Sequence, residues 1–131
     1  MPHKRIWEIG SYKVDPPTER ALQIIFSPQT DQGVKDCTVL MSTIAPFTGT
    51  TGLHTHNGDE IMYVITGRGE GTEAGKHFKV EPGTIIYAPA GVEHECRNLG
   101  EETMRLFCVY LPSLPGDKVR EFVEKSEVRV K

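Results

Sequence analysis

The stretch Gly83-Thr-Ile-Ile-Tyr-Ala-Pro89-Ala-Gly91-Val-Glu-His94-Glu-Cys-Arg-Asn98 decides the fold. Thr84–Ala88 is rich in β-formers and is broken by Pro89-Ala-Gly91, so a strand ends in a turn. Glu93–Asn98 resumes as a strand, and period-two alternation puts His94, Cys96 and Asn98 on one face. The same rhythm runs upstream. Glu81-Pro82-Gly83 is a turn, His77–Val80 and Glu70–Glu73 are short strands, and Gly67-Arg-Gly69 is a turn. Glu60–Thr66 is a strand, and Cys37–Ala45 is a strand closed by Pro46. Downstream, Leu99-Gly100-Glu101 turns the chain into a last long strand, Thr103–Leu111. Short strands with turns every ~8–12 residues predict an all-β sandwich or barrel.

The flanks carry less signal. Arg5–Gly10 reads as a short strand, Asp15-Pro-Pro-Thr as a turn, Ala21–Phe26 as a strand stopped by Ser27-Pro28, and Gln29–Gly33 as a turn. After Pro115-Gly116 the period changes to 3.6. Val119, Phe122 and Val123 fall on one helical face, predicting a short helix over Asp117–Lys125 with Asp117 as its cap. The charged tail Ser126–Lys131 is expected to fray or to pair with a sheet edge.

At 131 residues the chain reads as one domain, 1–131, with a barrel core over about 36–111. Hydrophobic residues make up 37% and charged residues 25%, ordinary for a globular protein and too apolar for disorder. Thirteen Gly and nine Pro argue against a helical bundle. A net charge of −3 with no basic stripe gives no reason to expect nucleic acid or an anionic membrane as partner. The longest apolar run, Leu106–Leu111, is far shorter than a bilayer span, and no apolar stretch follows the basic start. The three cysteines, Cys37, Cys96 and Cys108, form neither a disulfide framework nor a zinc knuckle. A reducing, cytoplasmic location follows as the expectation.

Four residues carry the chemistry: His54, His56, Glu60 and His94. His54 and His56, spaced i and i+2, are expected to project two imidazoles from one strand face. Glu60 opens the next strand and His94 opens another. Three neutral imidazoles and one carboxylate suit one divalent transition metal: Mn, Fe, Ni, Co, Cu or Zn. Such a set leaves open coordination positions, as catalytic metals have. A lone His is more often a surface or hydrogen-bonded residue, the role expected of His3 and His77. Parity from Glu60 and His94 predicts that Met62, Val64 and Cys96 face the same interior. Tyr87, Arg105 and Tyr110 are expected as polar groups lining the pocket. Gly67–His77 is superficially like a phosphate loop, but its glycine spacing and missing Ser/Thr make it a hairpin.

The spacing resembles the cupin family. His54-Thr-His56, three residues, Glu60, six residues and Gly67 match its first motif, with Gly49 one residue closer to His54 than that motif has it. Gly83, Pro89, Gly91, His94 and Asn98 match the second motif without deviation. The resemblance implies a jelly-roll β-barrel with His54, His56, Glu60 and His94 as metal ligands. It also implies structural roles for the glycines and Pro89, and a homodimer, for which the Arg5–Gly10 strand is the natural donor. Asn98 is expected to pack or hydrogen-bond rather than bind metal.

Fold does not choose a reaction. The primary expectation is a metal-dependent enzyme on a small oxygenated organic molecule, of dioxygenase, decarboxylase, lyase or isomerase type. The alternative is a non-catalytic cupin that binds a small carbohydrate or organic acid. With a divalent cation, one carboxylate and three neutral imidazoles sum to a net positive charge, so the expected partner is an anionic or chelating small molecule.

Overall fold

A computed structural model describes residues 2–127. Among them the strands are β1 (Tyr12–Val14), β2 (Arg20–Phe26), β3 (Thr38–Ile44), β4 (Asp59–Thr66), β5 (Gly69–Glu73), β6 (Lys76–Val80), β7 (Ile85–Ala88), β8 (His94–Asn98) and β9 (Met104–Leu111), followed by helix α1 (Gly116–Glu124). One sheet has the order β1-β2-β3-β9-β4-β7 and the other β6-β5-β8. They enclose one core as two facing sheets rather than a closed ring of hydrogen bonds, the jelly-roll arrangement expected.

The inward faces follow the alternation in the sequence. Leu40, Ile44, Val64, Val80, Met104 and Leu106 are fully or almost fully buried and belong to one hydrophobic cluster with Cys96 and Cys108. β3 pairs with β9 over its whole length, from Thr38↔Tyr110 to Ile44↔Met104, and β9 pairs with β4 through Glu60↔Tyr110 and Met62↔Cys108. Glu60 and Tyr110 are therefore neighbours at one end of the inward face. The opposite end is held by Asn98. Its amide donates to the carbonyls of Ile44 (3.2 Å) and Glu102 (2.8 Å), and its carbonyl accepts from Gly100 N–H (3.0 Å).

Two glycines matter for the hairpins. Gly67 has φ +98°, and a Cβ there would stand 2.6 Å from the Met104 backbone. Gly69 has no room either, since the Arg97 carbonyl occupies the place of a Cβ. The β4–β5 turn can thus lie directly on β8 and β9.

Three expectations fail at the chain's flanks. Arg5–Gly10 is not a strand: Ile6–Glu8 is a 3-10 turn, and Gln23 donates to the carbonyls of Ile6 and Ile9, holding this segment along β2. It is therefore not a free strand to donate. Asp117 does not cap α1, because the N-cap is Pro115 and no side chain bonds the first turn. Asp117 instead contributes only its charge to the helix N-terminus. Val119 is buried and Phe122 stacks at 4.9 Å on Tyr12, but Val123 is 40% exposed, so the apolar face is narrower than the periodicity suggests. Of the tail, Glu127 pairs with Ser11; the residues after it lie outside the described ones. Among the described residues no helix is long and apolar enough to cross a membrane.

Candidate metal centre

Glu60 is the second residue of β4 and His94 the first of β8, and a loop brings the other two. His54 and His56 do not share a regular strand. The segment around Thr50–His54 runs along the edge of β8 through isolated bridges, Thr50↔Arg97 and His54↔His94. His54 and His94 exchange both backbone hydrogen bonds, at 3.1 and 2.9 Å, which places their side chains together. The His56 carbonyl accepts from Gly91 N–H at 2.9 Å, tying it to the turn before His94. The imidazole rings pack at centroid separations of 4.4 to 5.0 Å. One ligand atom from each of His54, His56, Glu60 and His94 lies within 4.8 Å of all the others.

Backbone carbonyls set the tautomers. His54 Nδ1–H donates to the Gly52 carbonyl at 2.6 Å and His94 Nδ1–H to the Val92 carbonyl at 3.0 Å. Nε2 of each is left with its lone pair free, the orientation that metal-binding imidazoles adopt. The Nε2 atoms of His56 and His94 each stand 3.1 Å from the same oxygen of Glu60, which is 3% exposed. A carboxylate oxygen facing the Nε2 lone pair of His94 is relieved by a cation between them, a proton or a metal. The donor set therefore fits a divalent metal by its chemistry.

The surroundings agree. Burial holds the His54 and His56 pKa values below the ordinary histidine range. Burial also opposes charge on His94, but the Glu60 carboxylate and Val92 carbonyl outweigh it and raise its pKa. Burial first, then the Glu60 charge, pushes Tyr110 well above the tyrosine range.

Of the residues expected to line a pocket, Met62, Val64 and Cys96 do face inward, buried in the core beside Glu60 and His94. Tyr110 packs edge-on to His56 at 5.1 Å and lies on the wall of a cavity of about 320 Å³, with Asn57, Ser113, Leu114 and Lys118. Two expectations are corrected. Tyr87 points out of the sheet, 51% exposed, because the inward positions of β7 are Ile86 and Ala88. Its hydroxyl donates to Asp59 at 2.6 Å, and the other oxygen of Asp59 accepts from Ala90 N–H at 2.8 Å. Tyr87 thus braces, from outside, the turn that presents His94. Arg105 also faces out, because Met104, Leu106 and Cys108 hold the inward positions of β9. The inward arginine is Arg20, at the head of β2 on the same face as buried Leu22 and Ile24. Sequence reasoning missed it by starting that strand at Ala21; starting one residue earlier, parity alone would have found it.

The family model described as Cupin domain matches residues 40–110, more than half of the chain. This chain belongs to the cupin family. The cupin is 33% identical over 89 residues to an uncharacterized protein of Methanocaldococcus jannaschii, a match covering 67% of this chain and 70% of that protein. It is 36% identical over 69 residues to L-ectoine synthase of Teredinibacter turnerae, covering 51% of each chain. It is 30% identical over 61 residues to an oxalate-binding protein of Thermotoga maritima, covering 46% of this chain and 50% of that one. The match thus spans about half the length of the last two relatives. In fold the cupin is similar to a predicted oxalate decarboxylase of Thermotoga maritima (TM-score 0.75, 21% identity, 85% of this chain and 99% of that one). It is also similar to ectoine synthase of P. lautus (TM-score 0.73, 24% identity, 99% and 91%).

Proposed function

We propose that this cupin is a metal-dependent enzyme in which His54, His56, Glu60 and His94 hold one divalent transition metal and act on a small, chelating oxygenated acid. The observation that carries this reading is the convergence of four ligand atoms within 4.8 Å, with Nε2 of two imidazoles turned on one carboxylate oxygen. Bound there, a divalent metal supplies Lewis-acid or redox chemistry at its open positions. The chain's own part is to fix the imidazole tautomers through Gly52 and Val92, to exclude water with the buried core behind Glu60, and to admit substrate through the cavity beside Tyr110. Lyase or decarboxylase chemistry on a small acid is the form favoured by the relatives, whose names include ectoine synthase and a predicted oxalate decarboxylase. A second reading, a cupin that binds a small organic acid without turning it over, is favoured by the likeness to an oxalate-binding protein.

The same proposal takes residues 1–131 as a single cupin domain in a reducing cytoplasm, where Cys37, Cys96 and Cys108 stay as the free thiols they are. It also includes a homodimer. Tyr63, Ile65, Ile85, Tyr87 and Phe107 are exposed on the outer face of β4, β7 and β9, and β7 is an open edge of the sheet. A second copy offers the same apolar face and edge, the self-complementary match of a two-fold interface.

Elemental analysis of purified protein, followed by calorimetric titration of metal-loaded protein with oxalate and with its neutral diamide, tests the reading. One metal per chain, preference for the anion, and loss of both in His94→Ala are expected. Full metal occupancy in His94→Ala, or anion binding that survives chelation, refutes it. Carbon dioxide release from a panel of small acids separates the enzyme from the binding protein.

A further inference from the structure

The β5–β6 hairpin carries a carboxylate that the four ligands do not account for. Its turn is two residues, Ala74-Gly75, both in the left-handed region at φ 50° and 78°, a geometry that matches the twist of the flanking strands. Ala74 N–H donates to the Glu93 carbonyl at 3.0 Å and ties this end of the hairpin to the start of β8. The β5–β8 register then sets Glu73 opposite His94 and Gly71 opposite Cys96. Side chains directly opposite in an antiparallel pair stand on one face. Gly71, His94 and Cys96 are buried, so this is the inward face. On its other side His94 is bridged to His54. One row across the sheet therefore reads Glu73, His94, His54.

Nothing in contact with Glu73 balances its charge there. Its Oε1 is buried and accepts no hydrogen bond, and it is the one carboxylate among the buried side-chain oxygens left without a partner in the described residues. Among the same residues Glu73 forms no ion pair. Lys76, opposite it in the hairpin, is exposed. A carboxylate drawn out of water without donors is costly unless a positive charge stands nearby. Glu73 is not one of the four residues whose ligand atoms lie within 4.8 Å of one another, so it stands outside the ligand set, beside His94. Its negative charge is among those that act on His94. Three neutral imidazoles, the Glu60 carboxylate and a divalent metal sum to a net positive charge, and the Glu73 carboxylate cancels it. Such a counter-charge acts through space and needs no bond to the metal.

We propose that Glu73 is a second carboxylate of the metal centre, outside the ligand set, whose charge strengthens the hold of His54, His56, Glu60 and His94 on a divalent cation and weakens the hold of the loaded site on anions. This rests on the metal-centre reading above and adds to it a control over both affinities. The two effects have opposite signs, which a side chain needed only for folding does not produce.

Competition for Zn²⁺ between the metal-free protein and a chromophoric chelator reads the first effect, and calorimetric titration of the Zn²⁺-loaded protein with oxalate reads the second. Glu73→Gln removes the charge and keeps the shape. It should lose roughly tenfold in Zn²⁺ affinity, the scale found for groups just outside a ligand set. Oxalate should bind the loaded variant several-fold more tightly than it binds loaded wild type. The thermal midpoint of the metal-free variant should equal or exceed that of wild type, since an unpaired charge leaves a buried position. Glu73→Asp, which keeps the charge, should stay closer to wild type in both affinities. Zn²⁺ affinity unchanged in Glu73→Gln overturns the proposal. So does a parallel loss of Zn²⁺ and oxalate affinity with a lowered metal-free midpoint, the mark of a purely structural role. If Glu73→Gln does not fold, Glu73→Met, uncharged and of similar length, decides by the same Zn²⁺ competition. Wild type that takes up no Zn²⁺ sinks the metal-centre reading and this proposal with it, whereas wild type and variant that bind Zn²⁺ equally well sink this proposal alone.

Discussion

Asn98 closes the second motif, and the structure assigns it a structural task that can be weighed. In Asn98→Ala the buried Ile44 carbonyl loses its donor at 3.2 Å, and the Glu102 carbonyl and Gly100 N–H lose partners at 2.8 and 3.0 Å. An orphaned buried acceptor costs about 1–3 kcal/mol, and each of the two more accessible bonds about 0.5–1.5 kcal/mol. The sum is on the order of 3 kcal/mol, before any cavity left by a side chain that is 0% exposed. For a chain of 131 residues, about 3–5 °C per kcal/mol gives a fall in Tm of roughly 10–15 °C. Differential scanning calorimetry reads it, with metal content measured on the same samples. Because Asn98 sits at the far end of β8 from His94, metal stoichiometry should not change. A variant that keeps its Tm and loses its metal would refute this reasoning and place Asn98 in the metal centre.

Burial pushes the Cys96 thiol up to about 12, so roughly one molecule in ten thousand is thiolate at pH 8, and a thiol reagent on native protein should modify the partly exposed Cys37 first. Modification of Cys96 at the same rate as Cys37, by peptide mapping, would contradict its burial. The same shift fixes a pH dependence. The folded pKa lies above the ordinary 9.0, so the stabilisation is full below pH 9.0 and is lost as pH rises from there towards about 12. Chemical denaturation across that window should show stability falling by about 1.4 kcal/mol per pH unit from this group alone. Ile85→Glu, at a side chain 68% exposed on the apolar outer face, should leave the fold intact and turn a dimer into a monomer by light scattering. A wild type that is already monomeric at micromolar concentration removes the dimer proposal.

The sequence alone determined the strand rhythm and the grouping of His54, His56, Glu60 and His94. Turn residues such as Pro89-Ala-Gly91 and the alternation along Glu60–Thr66 are local chemistry, written in neighbouring residues. His54, His56, Glu60 and His94 were legible because their spacing is itself a motif, even though His54 and His56 meet His94 through a bridged loop rather than a regular strand. Parity worked for Met62, Val64, Cys96 and Tyr110, and failed for Tyr87 and Arg105. A period of two says which residues share a face, while only the packing of β7 and β9 against the core says which face is inside. The N-terminal segment needed tertiary contact as well. Arg5–Gly10 has the composition of a strand, but Gln23 binds the carbonyls of Ile6 and Ile9, partners some 14 to 17 residues away that no local pattern announces. Arg20 is a further case: an ordinary strand-end arginine in the sequence becomes a half-buried cation without an ion pair among the described residues, because it shares the inward face of β2 with Leu22 and Ile24, a placement that only the packing of the sheet decides.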